Sequence, residues 1–240
     1  MTGPSSDSAF ARLAAAVDES IPPELVEEWQ RQLGPDRAFV ARQGIFSPGG
    51  RAMAYELSFR STRFGAPSSW SRSDHERATA HVLRVAFGPE PLDNLPSDQP
   101  LFVRCTQAHL VGDLPLPDRP DRLVLELPRS LEVDTRILIG IEQLRRRGFR
   151  VALPSFSDRP SERRLLPLTD YVKIDVRDLD VEGHPVVRVA RSCGAMLIGE
   201  FVERADELAY ARELGLNLFQ GNLLQRADLV DQSLTPRAGL

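Results

Sequence analysis

The chain has 240 residues, of which 42% are hydrophobic and 27% are charged, and its formal net charge is −4. A chain of this length and composition can bury a sizeable hydrophobic core, as a globular protein does. The acidic balance excludes a protein that is drawn to nucleic acid or to an anionic membrane by its overall charge.

The cysteine content and the hydropathy pattern both indicate the cellular compartment of the protein. Cys105 and Cys193 are the only cysteines and lie far apart, so the sequence predicts no disulfide framework. The N-terminus does not have a basic start followed by a long apolar core, and no window resembles a membrane span. We therefore expect a cytoplasmic protein that binds neither nucleic acid nor a membrane.

Residues 1–36 differ in composition from the rest of the chain. They open with Ser, Gly and Pro, and the later stretch ELVEEWQRQLG places Leu25, Val26, Trp29 and Leu33 along one side of a short amphipathic helix. Two prolines precede this stretch, which is typical of a helix start. The helix either packs against the neighbouring domain or contacts a second protein, and the pattern leaves both possibilities open.

Strands and helices alternate after this segment. The runs FVARQGIF and AMAYELSF flank SPGGR and predict an antiparallel hairpin. Extended segments come next at QPLFVRC, DRLVLEL, FRVALPS, DYVKIDV, AMLIGEF and NLFQG. Between them, helical patterns occur at ERATAHVLRVAF, DTRILIGIEQLRRRG, GHPVVRVARSCG and RADELAYARELG.

This alternation predicts an α/β fold with a parallel sheet covered by helices. The number of strands fits a closed, TIM-like (β/α)8 barrel whose first strand is antiparallel to its neighbour. The alternative is an open doubly wound sheet. It has less support because no Gly-rich phosphate loop follows the first strand.

Polar side chains stand at or near the ends of the predicted strands. In a barrel of this kind the carboxyl ends of the strands meet on one face, where chemistry is concentrated. We therefore expect these side chains to converge. They are Glu56, Arg104, Glu126, Ser155, Lys173, Asp175, Glu200, Glu203 and Gln220.

Six ordered blocks carry a resemblance to a known family. FVARQGIF…GRAMAYELSFRS, LVLELPRS, LRRRGFRVALPSF, DYVKIDVR, GEFVERADELAYARELG and LFQGNLL resemble the EAL domain, the family of cyclic di-GMP phosphodiesterases. They are most similar to the branch in which an EAL domain precedes an HDOD domain. The resemblance implies an EAL domain at 37–228. The helical extension at 1–36 and a C-terminal tail at 229–240 lie outside it.

The resemblance implies a metal-dependent reaction and names the residues for it. Two Mg²⁺ or Mn²⁺ ions would activate a water that attacks one phosphodiester and yields linear pGpG, and both ions need carboxylate ligands. Glu56 matches the glutamate of the motif that names the family, and Lys173 matches the lysine expected near the attacking water. The other matching positions are Glu126, Glu200 and Gln220.

Other positions depart from the family pattern and remove ligands. The expected Asn ligand is Arg104, the expected Asp-Asp pair is Pro154-Ser155, and the second acid of the LELTE block is Arg129. Proline has no ligand atom, and a neutral serine hydroxyl replaces a bridging carboxylate poorly. Arg104 either pairs with the remaining acids in place of a metal ion or points to solvent.

We therefore expect a degenerate site with no catalytic residues, no metal site and no cofactor. The predicted function is a non-catalytic signalling module that binds cyclic di-GMP, a protein partner, or both. The alternative is a residually active cyclic di-GMP phosphodiesterase, which alone would require Mg²⁺ or Mn²⁺. The resemblance implies that the ligand contacts Gln43, Glu56, Arg60, Arg104, Glu200, Glu203 and Gln220.

The N-terminal helix gives a prediction about assembly, because the resemblance also implies homodimers. We expect a homodimer or a stoichiometric complex with another protein, in which Trp29 is a buried aromatic anchor. Light scattering of the full chain and of a variant lacking residues 1–35 should show association only for the full chain. A folded, equally associated truncation would exclude the helix as the interface, and a monomeric full chain that captures no partner would reject the prediction.

Overall fold

The computed structural model describes residues 38–61, 70–89, 95 and 98–230. The predicted N-terminal helix, and with it Trp29, lies outside the described residues, as does most of the predicted C-terminal tail.

The first two strands form the predicted antiparallel hairpin. Strand β1 spans Ala38–Phe46 and β2 spans Ala52–Ser61, joined by a turn in which the Gly50 amide donates to the Ser47 carbonyl over 2.9 Å. Gly50 has a φ of 78°, a left-handed conformation that glycine adopts without strain. The strand register places Gln43 directly opposite Glu56, so two of the predicted site residues are neighbours across the hairpin.

The remaining elements follow the predicted alternation, with short additions. The strands are β3 Leu101–Arg104, β4 Leu123–Glu126, β5 Arg150–Leu153, β6 Tyr171–Asp175, β7 Met196–Glu200, β8 Leu218–Phe219 and β9 Asp228–Leu229. The helices are α1 Arg72–Phe87, α2 Gln107–Leu110, α3 Thr135–Arg146, α4 Pro160–Leu165, α5 Leu179–Arg191 and α6 Ala205–Glu213. Two 3₁₀ turns occur at Leu166–Leu168 and Val176–Asp178. The sequence patterns did not indicate α2, α4 or β9, which have only two to six residues.

The sheet closes on itself. Strands β2 to β8 pair in sequence order and are all parallel. Strand β1 closes the barrel by pairing antiparallel with both β2 and β8, and β9 pairs antiparallel with β1 at Ala41 and Arg42. The predicted eight-stranded barrel with an antiparallel first strand is confirmed, and the open-sheet alternative is wrong.

Helices cover the outside of the barrel, and α3 shows why the sequence places them there. Its N-terminus is capped by Asp134, and its buried residues Ile137, Gly140, Ile141 and Leu144 repeat at the spacing of one helix face. A side chain at Gly140 would meet the Leu110 carbonyl at 2.2 Å, so glycine allows α3 to approach α2 closely. None of the described helices is long and apolar enough to cross a membrane.

The barrel interior has an apolar layer below a polar one. The apolar layer contains Ile45, Ala54, Phe102, Val124, Ala152, Ile198 and Leu218. Side chains two positions apart on a strand point to the same face, so the next inward residue on each strand lies nearer the carboxyl end. On five of the strands or their ends these residues are Glu56, Arg104, Glu126, Glu200 and Gln220. Strand periodicity thus brings the predicted site residues into one layer.

Candidate ligand-binding site

A buried lysine is at the centre of the polar layer. Lys173, on β6, is only 1% exposed. Its Nζ lies 2.6 Å from Oε2 of Glu56, 3.0 Å from Oε2 of Glu126 and 3.4 Å from Oε2 of Glu200. These carboxylates come from β2, β4 and β7, so a single ammonium group on β6 links four strands.

A second cation binds the other oxygen of Glu126. Nε of Arg104, at the end of β3, donates to Oε1 of Glu126 over 3.2 Å. The Arg104 carbonyl accepts a hydrogen bond from the Thr79 hydroxyl on α1 over 3.0 Å, which fixes the backbone at this point. Both carboxylate oxygens of the fully buried Glu126 therefore face a cationic side chain.

The end of β5 brings no carboxylate to this layer. Pro154 is buried, and Ser155 donates from its amide to Oε1 of Glu200 over 3.0 Å and from its hydroxyl to the same oxygen over 2.5 Å. Ser155 has a φ of 46°, in the left-handed region that residues with a Cβ adopt at a cost. The segment thus supplies two hydrogen-bond donors to an existing acid.

Two glutamines connect the first and last strands of the barrel. Nε2 of Gln220 donates to Oε2 of Glu56 over 2.8 Å and to Oε1 of Gln43 over 3.2 Å. The Gln43 amide in turn donates to Oδ1 of Asn222 over 3.3 Å and to the Gln225 carbonyl over 3.1 Å. Oε1 of Gln220 is buried and has no hydrogen-bond partner within the described part of the chain.

The electrostatics of the cluster favour the charged forms of Glu56, Glu200 and Lys173. Burial raises the pKa of Glu56, but the charges of Lys173 and Arg104 and hydrogen bonds from Lys173 and Gln220 outweigh burial and lower it to about 2. Burial likewise raises the pKa of Glu200, yet Lys173 and Arg129 leave it below its ordinary value. Burial lowers the pKa of Lys173, and the three carboxylates more than offset this and raise it.

A cavity of about 540 Å³ opens above this cluster. Its charged lining residues are Glu56, Arg60, Arg72, Arg104, Arg129, Glu200 and Glu203, and its aromatic ones are Phe59, Trp70, His75 and Phe201. Trp70 contacts both Phe59 and His75, with ring centroids 5.6 Å and 5.3 Å apart. The cavity therefore presents both guanidinium groups and aromatic surface to a ligand.

The structure brings most of the predicted site residues together. Glu56, Arg104, Glu126, Ser155, Lys173, Glu200, Gln220 and Gln43 all belong to the cluster described above. Arg60 lines the cavity, where Nη1 donates to the Phe59 carbonyl over 3.0 Å. Glu203 is exposed at the cavity edge.

Asp175 lies outside both the cluster and the cavity lining, and other residues of the site were missed. Asp175 is bound by the Arg177 guanidinium, with a closest distance of 2.7 Å, instead of by Lys173. Trp70 and Arg72 were not predicted because they precede or begin α1, away from any strand end. Arg129 was noted only as a lost acid. A count of positive charges near the expected acids would have indicated Arg129 as a cation of the cavity wall.

The carboxylates of the cluster converge on an ammonium group. Among the residues that the structure describes, no group of three or more His, Cys, Asp and Glu side chains is arranged to hold a metal ion. The oxygens of Glu56, Glu126 and Glu200 that point to the centre of the layer all face Nζ of Lys173.

Comparison with known families decides the classification. Residues 106–227, about half of the chain, match the family model described as the EAL domain. The chain belongs to the EAL domain family. The match includes Glu126, Lys173, Glu200 and Gln220, while the β1–β2 hairpin with Glu56 lies before it.

Two curated relatives resemble this EAL domain chain. The uncharacterized protein YuxH of Bacillus subtilis is 27% identical over 191 residues, which cover 77% of this chain and 46% of that protein. The cyclic di-GMP phosphodiesterase CdgJ of Vibrio cholerae is 26% identical over 197 residues, covering 81% of this chain and 45% of CdgJ. The chain spans about half the length of the curated relatives it matches.

Solved structures confirm the EAL fold. The Bacillus subtilis YkuI protein, solved with cyclic di-GMP and calcium, matches with a TM-score of 0.65 and 21% identity, over 85% of this chain and 57% of YkuI. Klebsiella pneumoniae BlrP1, also solved with calcium and cyclic di-GMP, matches with a TM-score of 0.64 and 23% identity, over 96% of this chain and 68% of BlrP1. At this level of identity the likeness establishes the barrel architecture.

The lowered pKa of Glu56 gives a prediction about acid stability. A carboxyl group with a folded pKa of about 2 and an ordinary value of 4.5 stabilises the fold above pH 4.5, and this stabilisation is lost as the pH falls toward 2. Glu56→Gln cannot take up this proton, so its free energy of unfolding should fall less steeply between pH 4.5 and 2 than that of the wild type. Urea unfolding followed by circular dichroism measures both slopes.

The matched control for this experiment is Glu142→Gln. Glu142 is half-exposed on α3 and pairs with Arg146 at the surface, so the wild-type slope should persist in the variant. Equal acid slopes for Glu56→Gln and the wild type would contradict the prediction.

Proposed function

We propose that this EAL domain binds cyclic di-GMP without divalent metal ions, does not hydrolyse it, and signals by contact with another protein. The observation that carries the proposal is the ammonium group of Lys173 among the carboxylates of Glu56, Glu126 and Glu200, with Arg104 on the remaining oxygen of Glu126. Of these two cations, Arg104 stands where the family resemblance implies an Asn metal ligand, whereas Lys173 is the lysine that the resemblance itself implies.

A charge count supports this proposal. The three carboxylates of the cluster are matched by three cations: Lys173 and Arg104 in direct contact, and Arg129, whose charge acts on Glu200. Buried charges are tolerated when they are paired in this way. Two divalent ions would add further positive charge to a cluster that is already neutral, and each hard ion also needs several oxygen ligands of its own.

The residues after β5 also do not fit a two-ion site. A bridging carboxylate is the ligand that the resemblance implies there, and Pro154 has no side-chain donor or acceptor. The Ser155 hydroxyl and amide both donate to Glu200, so they hold that carboxylate through hydrogen bonds. The donor set of this chain therefore favours hydrogen bonding and ion pairing over metal ligation.

The cavity supports a cyclic dinucleotide as the ligand. Its volume of about 540 Å³ lies within the range of roughly 300–1,000 Å³ typical of small-molecule sites. Guanidinium groups bind phosphate oxygens, and aromatic rings such as those of Trp70 and Phe59 accept nucleobases. The relative CdgJ is named as a cyclic di-GMP phosphodiesterase, and YkuI and BlrP1 were solved with cyclic di-GMP.

The second candidate function is residual, metal-dependent phosphodiesterase activity. It is favoured by the name of the relative CdgJ and by the presence of Glu56, Glu126, Glu200 and Lys173. It differs from the first candidate in requiring Mg²⁺ or Mn²⁺ and in producing pGpG.

A module that binds without turnover acts through a partner or a second copy of itself. The N-terminal helix proposed for that contact lies outside the described residues, so the homodimer and the protein partner remain predictions. The partner would bind the dinucleotide-bound and the dinucleotide-free protein with different free energies. Binding of the dinucleotide would therefore change the affinity for the partner.

Hydrolysis gives the first test of this function. Purified protein with Mg²⁺ or Mn²⁺ should convert no cyclic di-GMP to pGpG above the level of its Glu56→Ala variant, because Pro154, Ser155 and Arg104 replace the metal ligands that the resemblance implies. Separation of substrate and product by chromatography measures the turnover. Turnover that is present in the wild type and abolished in Glu56→Ala would establish the phosphodiesterase instead.

Metal-independent binding gives the second test. Trp29 and Trp70 are the only tryptophans, so Trp29→Phe leaves Trp70 at the cavity as a single fluorescent reporter. Cyclic di-GMP should change its emission with the same dissociation constant in Mg²⁺ and in EDTA. Arg60→Ala should weaken binding about tenfold or more, since an ionic hydrogen bond contributes roughly 1.5–3 kcal/mol.

Arg136→Ala is the matched control for the loss of an arginine. Arg136 is exposed on α3 and pairs with Asp113 at the surface. Its variant should bind cyclic di-GMP like the parent. Loss of cyclic di-GMP binding in EDTA would contradict the proposed mode of binding. An unchanged dissociation constant for Arg60→Ala would contradict it as well.

A further inference from the structure

Arg129 has a partly unsatisfied guanidinium group at the cavity wall. It lies in the segment after β4 and lines the cavity. Its Nε is buried and has no hydrogen-bond partner among the described residues. A buried donor without an acceptor is unfavourable, and more so when the group is charged. An anionic ligand in the cavity would supply the missing acceptor.

The guanidinium of Arg129 is held in place by an aromatic ring. Its Cζ lies 5.5 Å from the centroid of the Phe201 ring. Phe201 directly follows Glu200, is 8% exposed and has a φ of 62°. Arg177 packs 4.4 Å from the same ring while its guanidinium forms a two-point ion pair with Asp175. This packing orients Arg129 before any ligand binds, and a stacked guanidinium keeps its N–H groups available at its edge.

The charges of the cavity wall also favour an anion. Among the described residues that line it are four arginines and three glutamates. Arg104 is anchored by Nε on Glu126, and 37% of its side chain remains exposed. Lys173 and Glu126 offset each other below the wall. The lining therefore has an excess of positive charge.

We infer that Arg129 and Arg104 together form a phosphate-binding pair whose N–H groups donate to a phosphodiester group of the bound dinucleotide. The family resemblance implies an acidic residue at the position of Arg129 and an asparagine at the position of Arg104. The planar, forked donors of arginine match the oxygens of a phosphate group. The inference rests on the proposed function, because it assigns the phosphate contacts of that same ligand.

Calorimetric titration in EDTA tests the pair. Wild type, Arg129→Gln, Arg129→Lys and Arg136→Gln are each titrated with cyclic di-GMP and, separately, with inorganic pyrophosphate as a phosphate-only probe. Arg129→Gln should weaken cyclic di-GMP binding about tenfold or more. Arg129→Lys should retain part of the affinity, because it keeps the charge and loses the fork. Arg136→Gln should bind like the wild type.

The salt dependence of the affinity separates a phosphate contact from a structural role. Removal of a charge that contacts phosphate should make the dissociation constant of Arg129→Gln less sensitive to ionic strength than that of the wild type. A role in packing alone would lower the affinity and leave this sensitivity unchanged. Circular dichroism establishes that each variant is folded. If Arg129→Gln does not fold, Arg129→Lys is the deciding variant. An affinity of Arg129→Lys for cyclic di-GMP equal to that of the wild type then overturns the inference.

The two ligands separate failure of the inference from failure of the proposed function. Cyclic di-GMP that binds the wild type and Arg129→Gln equally overturns the inference and leaves the proposed function intact. A wild type that binds pyrophosphate through Arg129 but does not bind cyclic di-GMP supports the phosphate pair and rejects the proposed function. A wild type that binds neither ligand rejects both.

Discussion

The ammonium group of Lys173 is the interaction on which the polar layer of this barrel depends. Three carboxylates from three strands would repel one another in a buried site, and one central cation makes their convergence favourable. Because Lys173 lies on β6 and its partners lie on β2, β4 and β7, the ion pairs also hold opposite sides of the barrel together. Loss of this one cation would leave several buried charges uncompensated, a situation that typically costs about 3–5 kcal/mol for a single broken pair.

Arg104 and Arg129 give this EAL domain its distinct electrostatics. A metal ion is a positive charge that can enter and leave its site. A guanidinium group is a positive charge fixed to the chain, and its N–H donors have set directions. Fixed charge can bind a phosphate group, but it cannot lower the pKa of a bound water as a divalent ion does. Phosphate binding and metal-dependent hydrolysis therefore need different chemical groups, so a chain can retain the first function without the second. The hydrogen bonds from Ser155 to Glu200 fit the same scheme, since they stabilise an acid where the family resemblance implies a pair of acids.

Much of the fold was predictable because it follows from periodicity. The turn between β1 and β2 needs a residue with positive φ, and the Gly-Gly pair in the sequence meets this need. Helix α3 begins after Asp134 and buries residues spaced by three and four, which the sequence shows directly. The short elements α2, α4 and β9 were not predicted, because two to six residues are too few to establish a repeat. Most of the site was predicted because strand ends converge in a parallel barrel.

The sequence by itself determined the alternation of strands and helices, the family and the substitutions at Arg104, Arg129 and Pro154-Ser155. These are properties of residue type and order. Only the tertiary structure decided how the charges pair, because a pairing depends on distances between strands that are remote in the chain. It joined Lys173 to three carboxylates, assigned Asp175 to Arg177 instead, and stacked Arg129 on Phe201 beside the cavity. A charged side chain pairs with the nearest opposite charge in a site of low dielectric constant, and which charge is nearest is settled only when the barrel has closed.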